Sequence, residues 1–220
     1  KPEDLDLSIA TDDDKKIENT NEIKQSVISK TLEVLKNKHI LLLAATYFGI
    51  KFIRYTFWFW VPTYLVRVLG YKADNTAYIL TLFPIAGFLG TLVGGYVSDK
   101  FFASRRAPIC AIMFLGLALS LILFMFSTHS LFYMMLSVGL TGFMLYGPDF
   151  LVSGISVMDF GSKEHAATAA GFVNGVGAIG AALTGIIAGG MANLWGWNSV
   201  FYLLVAFAFL CSILITFMWN

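Results

Sequence analysis

The sequence predicts an all-α membrane protein made of six transmembrane helices, and three observations carry that expectation. Of 220 residues, 57% are apolar and only 13% are charged, about half the charged share of an ordinary soluble domain. Sixteen of the 29 Asp, Glu, Lys and Arg residues lie between Lys1 and His39, so the rest of the chain is nearly uncharged. That remainder divides into six apolar runs, each long enough at 1.5 Å rise per residue to cross about 30 Å of hydrocarbon.

The runs lie near Ile40 to Val66, Thr76 to Val97, Ala107 to Phe126, Leu131 to Met158, Ala166 to Met191 and Ser199 to Met218. Buried strands are excluded by length, since strands run about 5 residues and these runs are several times longer and rich in Leu, Ala and Met. Ahead of them, Lys1 to Glu18 is acidic, polar and poor in aromatics, the composition of a solvated linker. Asn19 and Glu22 then have capping-box spacing before Ile23, Val27, Leu32 and Leu35, interleaved with Lys24, Lys30 and Lys36. This pattern suits an amphipathic helix on the inner leaflet, although a plain connector with no binding role is the simpler reading. The expected division is therefore 1–38, a cytoplasmic segment, and 39–220, the six-helix bundle.

Orientation follows from basic residues in short loops. With the amino-terminal tail in the cytoplasm, 11 of the 15 Lys and Arg lie inside, while Arg67 and Lys72 face out and Lys51 and Arg54 lie within the membrane. Both ends of this stretch are then cytoplasmic. The chain opens at Lys1 without an initiator Met or a signal peptide and reads as a piece of a longer protein. A net charge of +1 offers no basic surface for nucleic acid. Cys110 and Cys211 sit inside apolar runs as small hydrophobes, and neither a metal site nor a cofactor is implied.

Lys51 and Arg54 carry the most information. Each charge near a span's midpoint costs about 2.5 to 3.5 kcal/mol on insertion scales and is seldom kept without a use. Tyr47, Lys51, Arg54 and Trp58 follow at spacings of 4, 3 and 4, which puts them on one helix face. A guanidinium fork beside an ammonium suits an anion, phosphate above all, and the plainer alternative is an internal ion pair that only fixes packing. Asp149, after Tyr146, Gly147 and Pro148, is the one intramembrane acid, at a depth matching Lys51. A Lys51–Asp149 pair is expected, with a proton site as the competing use of Asp149.

Elsewhere the signals are weaker. The fifth run is rich in glycine, from Gly171 to Gly190, and its one strongly polar residue is Asn174, a candidate substrate contact. Gly95, Asp99, Lys100, Arg105 and Arg106 form a Gly-x-x-x-Asp-Lys signal with paired arginines, placed in an inside loop and read as a conformational switch. Aromatics at Phe57 to Trp60 and Trp195 to Trp197 are expected at the outer headgroup level, with Trp58 also facing the cations.

Four stretches together carry a family resemblance: RYTFWFWVPTYL from Arg54, GGYVSDKFFASRRAP from Gly94, YGPDFL from Tyr146 and ATAAGFVNGVGAIGAA from Ala167. They resemble the major facilitator superfamily and, within it, the organophosphate:inorganic phosphate antiporters that carry glycerol 3-phosphate or hexose phosphates. The resemblance implies a twelve-helix fold of two bundles rocking about a central site. This chain would be its carboxyl-terminal bundle, with 1–38 from the central loop, an amino-terminal half as partner and a plasma- or inner-membrane location. It implies exchange of an organic phosphate for inorganic phosphate without enzymatic chemistry, Arg54 matching the substrate-phosphate arginine and Tyr146 a cavity tyrosine. Lys51 and Ala178 stand where the glycerol-phosphate carriers have tyrosines, and Asp149 where an apolar residue is usual, differences that suit a larger substrate such as a hexose phosphate. A transporter-shaped sugar-phosphate receptor and a proton-coupled organic anion carrier are the alternatives.

Overall fold

A computed structural model describes residues 36–102, 105–158 and 163–218. Six long helices account for nearly all of them: α1 (Lys38–Arg67), α2 (Ala73–Phe101), α3 (Arg106–Phe126), α4 (Leu131–Met158), α5 (Lys163–Trp195) and α6 (Trp197–Thr216). Each is long and apolar enough to span a bilayer. The linker and capping-box readings fall on residues before Lys36 and lie outside the described residues.

Local chemistry sets where the helices stop. Asn37 caps α1, its side chain accepting the His39 N–H at 2.9 Å. After Arg67 the chain turns through Gly70 at φ +71°, a left-handed conformation that favours glycine, while the Tyr71 N–H bonds the Leu65 carbonyl at 3.0 Å. Gly196, at φ +81°, makes the equivalent turn between α5 and α6. Several helices outrun their apolar cores, α2 to Phe101 and α5 from Lys163 to Trp195. Backbone hydrogen bonding continues past the apolar stretch, because polar side chains do not interrupt it. One expectation is corrected as a result: Asp99 and Lys100, beyond the expected run's end at Val97, belong with Gly95 to the last turns of α2, not to a loop. Only Arg105 precedes α3, which Arg106 opens.

The helices pair α2 with α4, α1 with α5, and α3 with both α4 and α6. Their meeting surface is aromatic: Phe57 stacks on Phe83 at 5.1 Å and meets Phe124 edge-on at 5.3 Å, and Phe124 meets Phe201 at 5.1 Å. Phe57 is thus a core residue, contrary to its expected place among headgroup anchors, since its side of α1 faces the bundle. Trp60 meets Trp197 with tilted rings, at 6.1 Å between ring centres. Some buried hydroxyls bond between helices, as where Ser212 of α6 donates to the Ala111 carbonyl of α3 at 3.1 Å, whereas those of Thr56, Thr76 and Ser98 take no partner.

Glycine allows the closest approach. A Cβ on Gly90 of α2 would run into the Phe143 carbonyl of α4, and one on Gly142 of α4 into the Phe83 carbonyl of α2. The two backbones therefore touch at two reciprocal points, the close packing that small residues permit between membrane helices.

Candidate functional site

Near the middle of α1, Lys51 and Arg54 point toward α4 and meet Asp149. Arg54 Nη1 donates to Asp149 Oδ2 at 2.5 Å, and Lys51 Nζ lies 3.6 Å from Oδ1. The sequence led to a Lys51–Asp149 pair; the structure adds Arg54 and brings it nearer. The longer guanidinium arm, one turn further along α1, reaches across to α4, while Oδ1 is buried and takes no hydrogen bond. Pro148 precedes Asp149 within α4 and removes a backbone donor there.

Aromatic rings hold both cations in place. The Arg54 guanidinium carbon stands 4.4 Å above the centre of the Tyr146 ring, and Lys51 Nζ 4.7 Å above that of Tyr47. Two glycines make room for these rings. A Cβ on Gly87 of α2 would come 2.7 Å from the Tyr146 ring, and one on Gly177 of α5 would come 2.6 Å from Tyr47 Cδ1 and 3.0 Å from Lys51 Cγ. Helices α2 and α5 thereby press the two aromatics against the cations.

The triad opens on a cavity of about 270 Å³, walled by Tyr47, Lys51, Arg54, Tyr146 and Asp149 with Thr91, Phe150 and Ser153. A second chamber of about 210 Å³ shares Arg54 and Tyr146 and is completed by Tyr55, Trp58 and Phe59. Side chains from α1, α2 and α4 thus converge on one wet, cationic surface halfway along membrane-spanning helices. Lys51 and Arg54 are 18% and 31% exposed against 10% for Asp149, so the cations, not the acid, are presented to the cavity.

Of the residues singled out from sequence, Tyr47, Lys51, Arg54, Tyr146 and Asp149 meet around the first cavity, and Trp58 borders the second. Asn174 lines neither; its side-chain amide donates to the Ala170 carbonyl of its own helix at 2.9 Å. The switch residues gather at the far end of α2 and the start of α3. Lys100 donates to the Tyr96 hydroxyl at 2.8 Å. The Arg106 guanidinium lies so close to Gly154 of α4 that a Cβ there would come 2.6 Å from Nη1. Thr91, Phe150, Ser153, Tyr55 and Phe59 were not anticipated. Thr91 lies four residues after Gly87, and Phe150 and Ser153 lie four and seven after Tyr146, so helical spacing alone places each on the cavity face.

Membrane-spanning helices that enclose charged side chains at mid-depth are the arrangement of secondary transporters. The chain matches the family model of the Major Facilitator Superfamily over residues 7–114 and 43–220, and it belongs to that family. It is 30% identical over 85% of its length to the glycerol-3-phosphate transporter of Bacillus subtilis (strain 168), covering 42% of that protein. With a probable hexose phosphate transport protein of Chlamydia pneumoniae it shares 31% identity over 92% of its length and covers 46% of the relative. A human glucose-6-phosphate exchanger is 33% identical over 74% of the chain, which covers 32% of that protein. The chain therefore spans less than half the length of these relatives. Among solved structures, an auto-inhibited POT-family peptide transporter superposes with a TM-score of 0.68 at 17% identity, over 82% of this chain and 37% of its own, which shows a shared fold. The six helices correspond to half of a twelve-helix major facilitator fold.

Proposed function

We propose that this chain is the carboxyl-terminal half of a carrier exchanging an organic phosphate for inorganic phosphate by alternating access, with both its ends in the cytoplasm. The observation that carries the reading is the triad: two cations and a single carboxylate around a mid-span cavity, leaving one positive charge for an anion. Arg54 grips the phosphate. Its guanidinium packs against the Tyr146 ring and one nitrogen is held by Asp149, so the remaining N–H groups are oriented before the substrate arrives. Lys51 adds a point charge, and Asp149 serves as the resident counter-ion that yields as phosphate binds. Double pairing favours this role for Asp149 over a proton carrier. No bond of the substrate is broken, and the amino-terminal half supplies the opposite wall. Names of the relatives, each a carrier or exchanger of a phosphorylated small molecule, support the substrate class.

Phosphate counterflow tests the proposal. Full-length protein in phosphate-loaded vesicles should take up labelled phosphate, with glucose 6-phosphate or glycerol 3-phosphate competing and a carboxylate not. Uptake should require internal phosphate and vanish in Arg54→Ala. Binding without exchange would favour a receptor, and acid-stimulated uptake without internal phosphate would favour proton coupling.

A further inference from the structure

The two chambers around Arg54 differ in chemistry. All three charged groups border the first, whereas the second has Arg54 as its only charged wall and is otherwise formed by Tyr55, Trp58, Phe59 and Tyr146. Inorganic phosphate is fully served by the first chamber. A ligand that also fills the second must carry, next to its phosphate, a group that benefits from aromatic surface.

Resting on the transport reading above, we propose that the second chamber is the specificity-determining subsite for the organic part of the substrate: Trp58 stacks on the C–H face of a sugar ring whose phosphate sits on Arg54. Trp58 lies four residues after Arg54 on the same face of α1, about 6 Å further along the axis. That offset suits a ring joined directly to its phosphate. Half of Trp58 is exposed, and its nearest ring neighbour, Phe83, is 6.5 Å away and tilted, so the indole is open to a ligand. Tyr55 and Phe59, 5.8 Å apart, supply a further aromatic wall. The electron-rich face of an aromatic ring attracts the weakly positive, apolar C–H face of a pyranose, while the sugar hydroxyls remain free to point toward the cavity. Beyond Trp58, a cleft of about 350 Å³ between α1 and α2 continues the apolar surface past Pro62 and Pro84. The competing role for Trp58 is a headgroup anchor. Trp60, which meets Trp197 at the start of α6 with its ring tilted by 59°, is the better candidate for that role. Ring-bearing sugar phosphates, not the acyclic glycerol phosphate, are therefore the class that uses both chambers.

The experiment is competition against labelled phosphate in the reconstituted full-length exchanger, comparing wild type with Trp58→Ala, Trp58→Phe and Arg54→Ala. The half-saturation of glucose 6-phosphate relative to that of phosphate should rise on the order of tenfold in Trp58→Ala, and Trp58→Phe should restore most of it. The ratio for glycerol 3-phosphate should move far less. An unchanged glucose 6-phosphate ratio, whether both ligands weaken together as for a lost anchor or neither changes, overturns the proposal. Equal shifts for glucose and glycerol phosphates overturn it as well. Absence of counterflow in the folded wild type would instead overturn the transport reading on which it rests, and full counterflow in Arg54→Ala would overturn the placing of the phosphate on Arg54.

Discussion

Arg54 shows why a single residue here is not interchangeable with its chemical neighbour. Its guanidinium carbon stands 4.4 Å from the centre of the Tyr146 ring while one nitrogen binds Asp149, a pair of contacts that an ammonium on a lysine stem cannot reproduce in the same way. Arg54→Lys should therefore lose at least about thirtyfold in the rate of phosphate counterflow at low substrate, nearly as much as Arg54→Ala, since removing one partner of a buried charge pair costs about 2 kcal/mol or more. A near-wild-type rate for the lysine variant would show that charge alone suffices. Behind Tyr146, Gly87→Ala places a methyl 2.7 Å from the ring. Such overpacking should cost about 1 to 3 kcal/mol, read as a lower melting temperature together with weaker phosphate binding. At this scale the sequence was informative wherever a helical period linked residues on one helix, as for Tyr47, Lys51, Arg54 and Trp58. It could not rank Arg54 above Lys51 as the partner of Asp149, because that depends on distances between helices, which no spacing within a helix encodes. Phe59 was hidden differently: its headgroup reading drew attention away from the chamber it lines, and Tyr55, next to Arg54, carried no periodic signal.

Between elements, the reciprocal contacts of Gly90 and Gly142 make α2 and α4 a single mechanical body. Because each glycine faces a backbone carbonyl, no rotamer change can relieve a larger residue there. Gly90→Leu or Gly142→Leu should abolish the monodisperse protein peak in detergent, whereas Gly185→Leu, with nothing within 4 Å of its Cβ position, should leave it intact. Loss of the peak in all three would mean that helix flexibility, not close approach, is what these glycines provide. Helix number and order were legible from apolar runs alone, since hydrocarbon thickness imposes them. Helix ends were not: α2 and α5 extend well past their apolar stretches, and the Gly95–Lys100 segment is helical although its composition reads as a loop. Polarity reports where the membrane ends and says little about where backbone hydrogen bonding ends.

For the whole molecule, burial is uneven: only 28% and 22% of the most apolar windows of α2 and α5 are covered within this chain, against 61% for α1. The bundle thus leaves two long apolar flanks for lipid or for the other half of the carrier. Its proposed orientation can be checked by single-cysteine labelling, with little background from Cys110 and Cys211, which are fully buried. A membrane-impermeant maleimide should label Lys72→Cys in intact cells and Lys100→Cys only after permeabilisation; the opposite pattern would invert the topology. The ratio of two cations to one carboxylate at mid-span also has an electrical side. Under the proposed transport reading, this half closes unloaded around an unbalanced positive charge while shedding the water that solvates it, whereas a bound phosphate offsets that charge. In that reading an empty return stroke is electrostatically disfavoured, which favours one-for-one exchange without a separate latch. Lys51→Met leaves only the neutral Arg54–Asp149 couple, and its vesicles should leak phosphate down a gradient into phosphate-free medium. Wild-type vesicles should hold theirs, and equal retention by both would place the latch elsewhere.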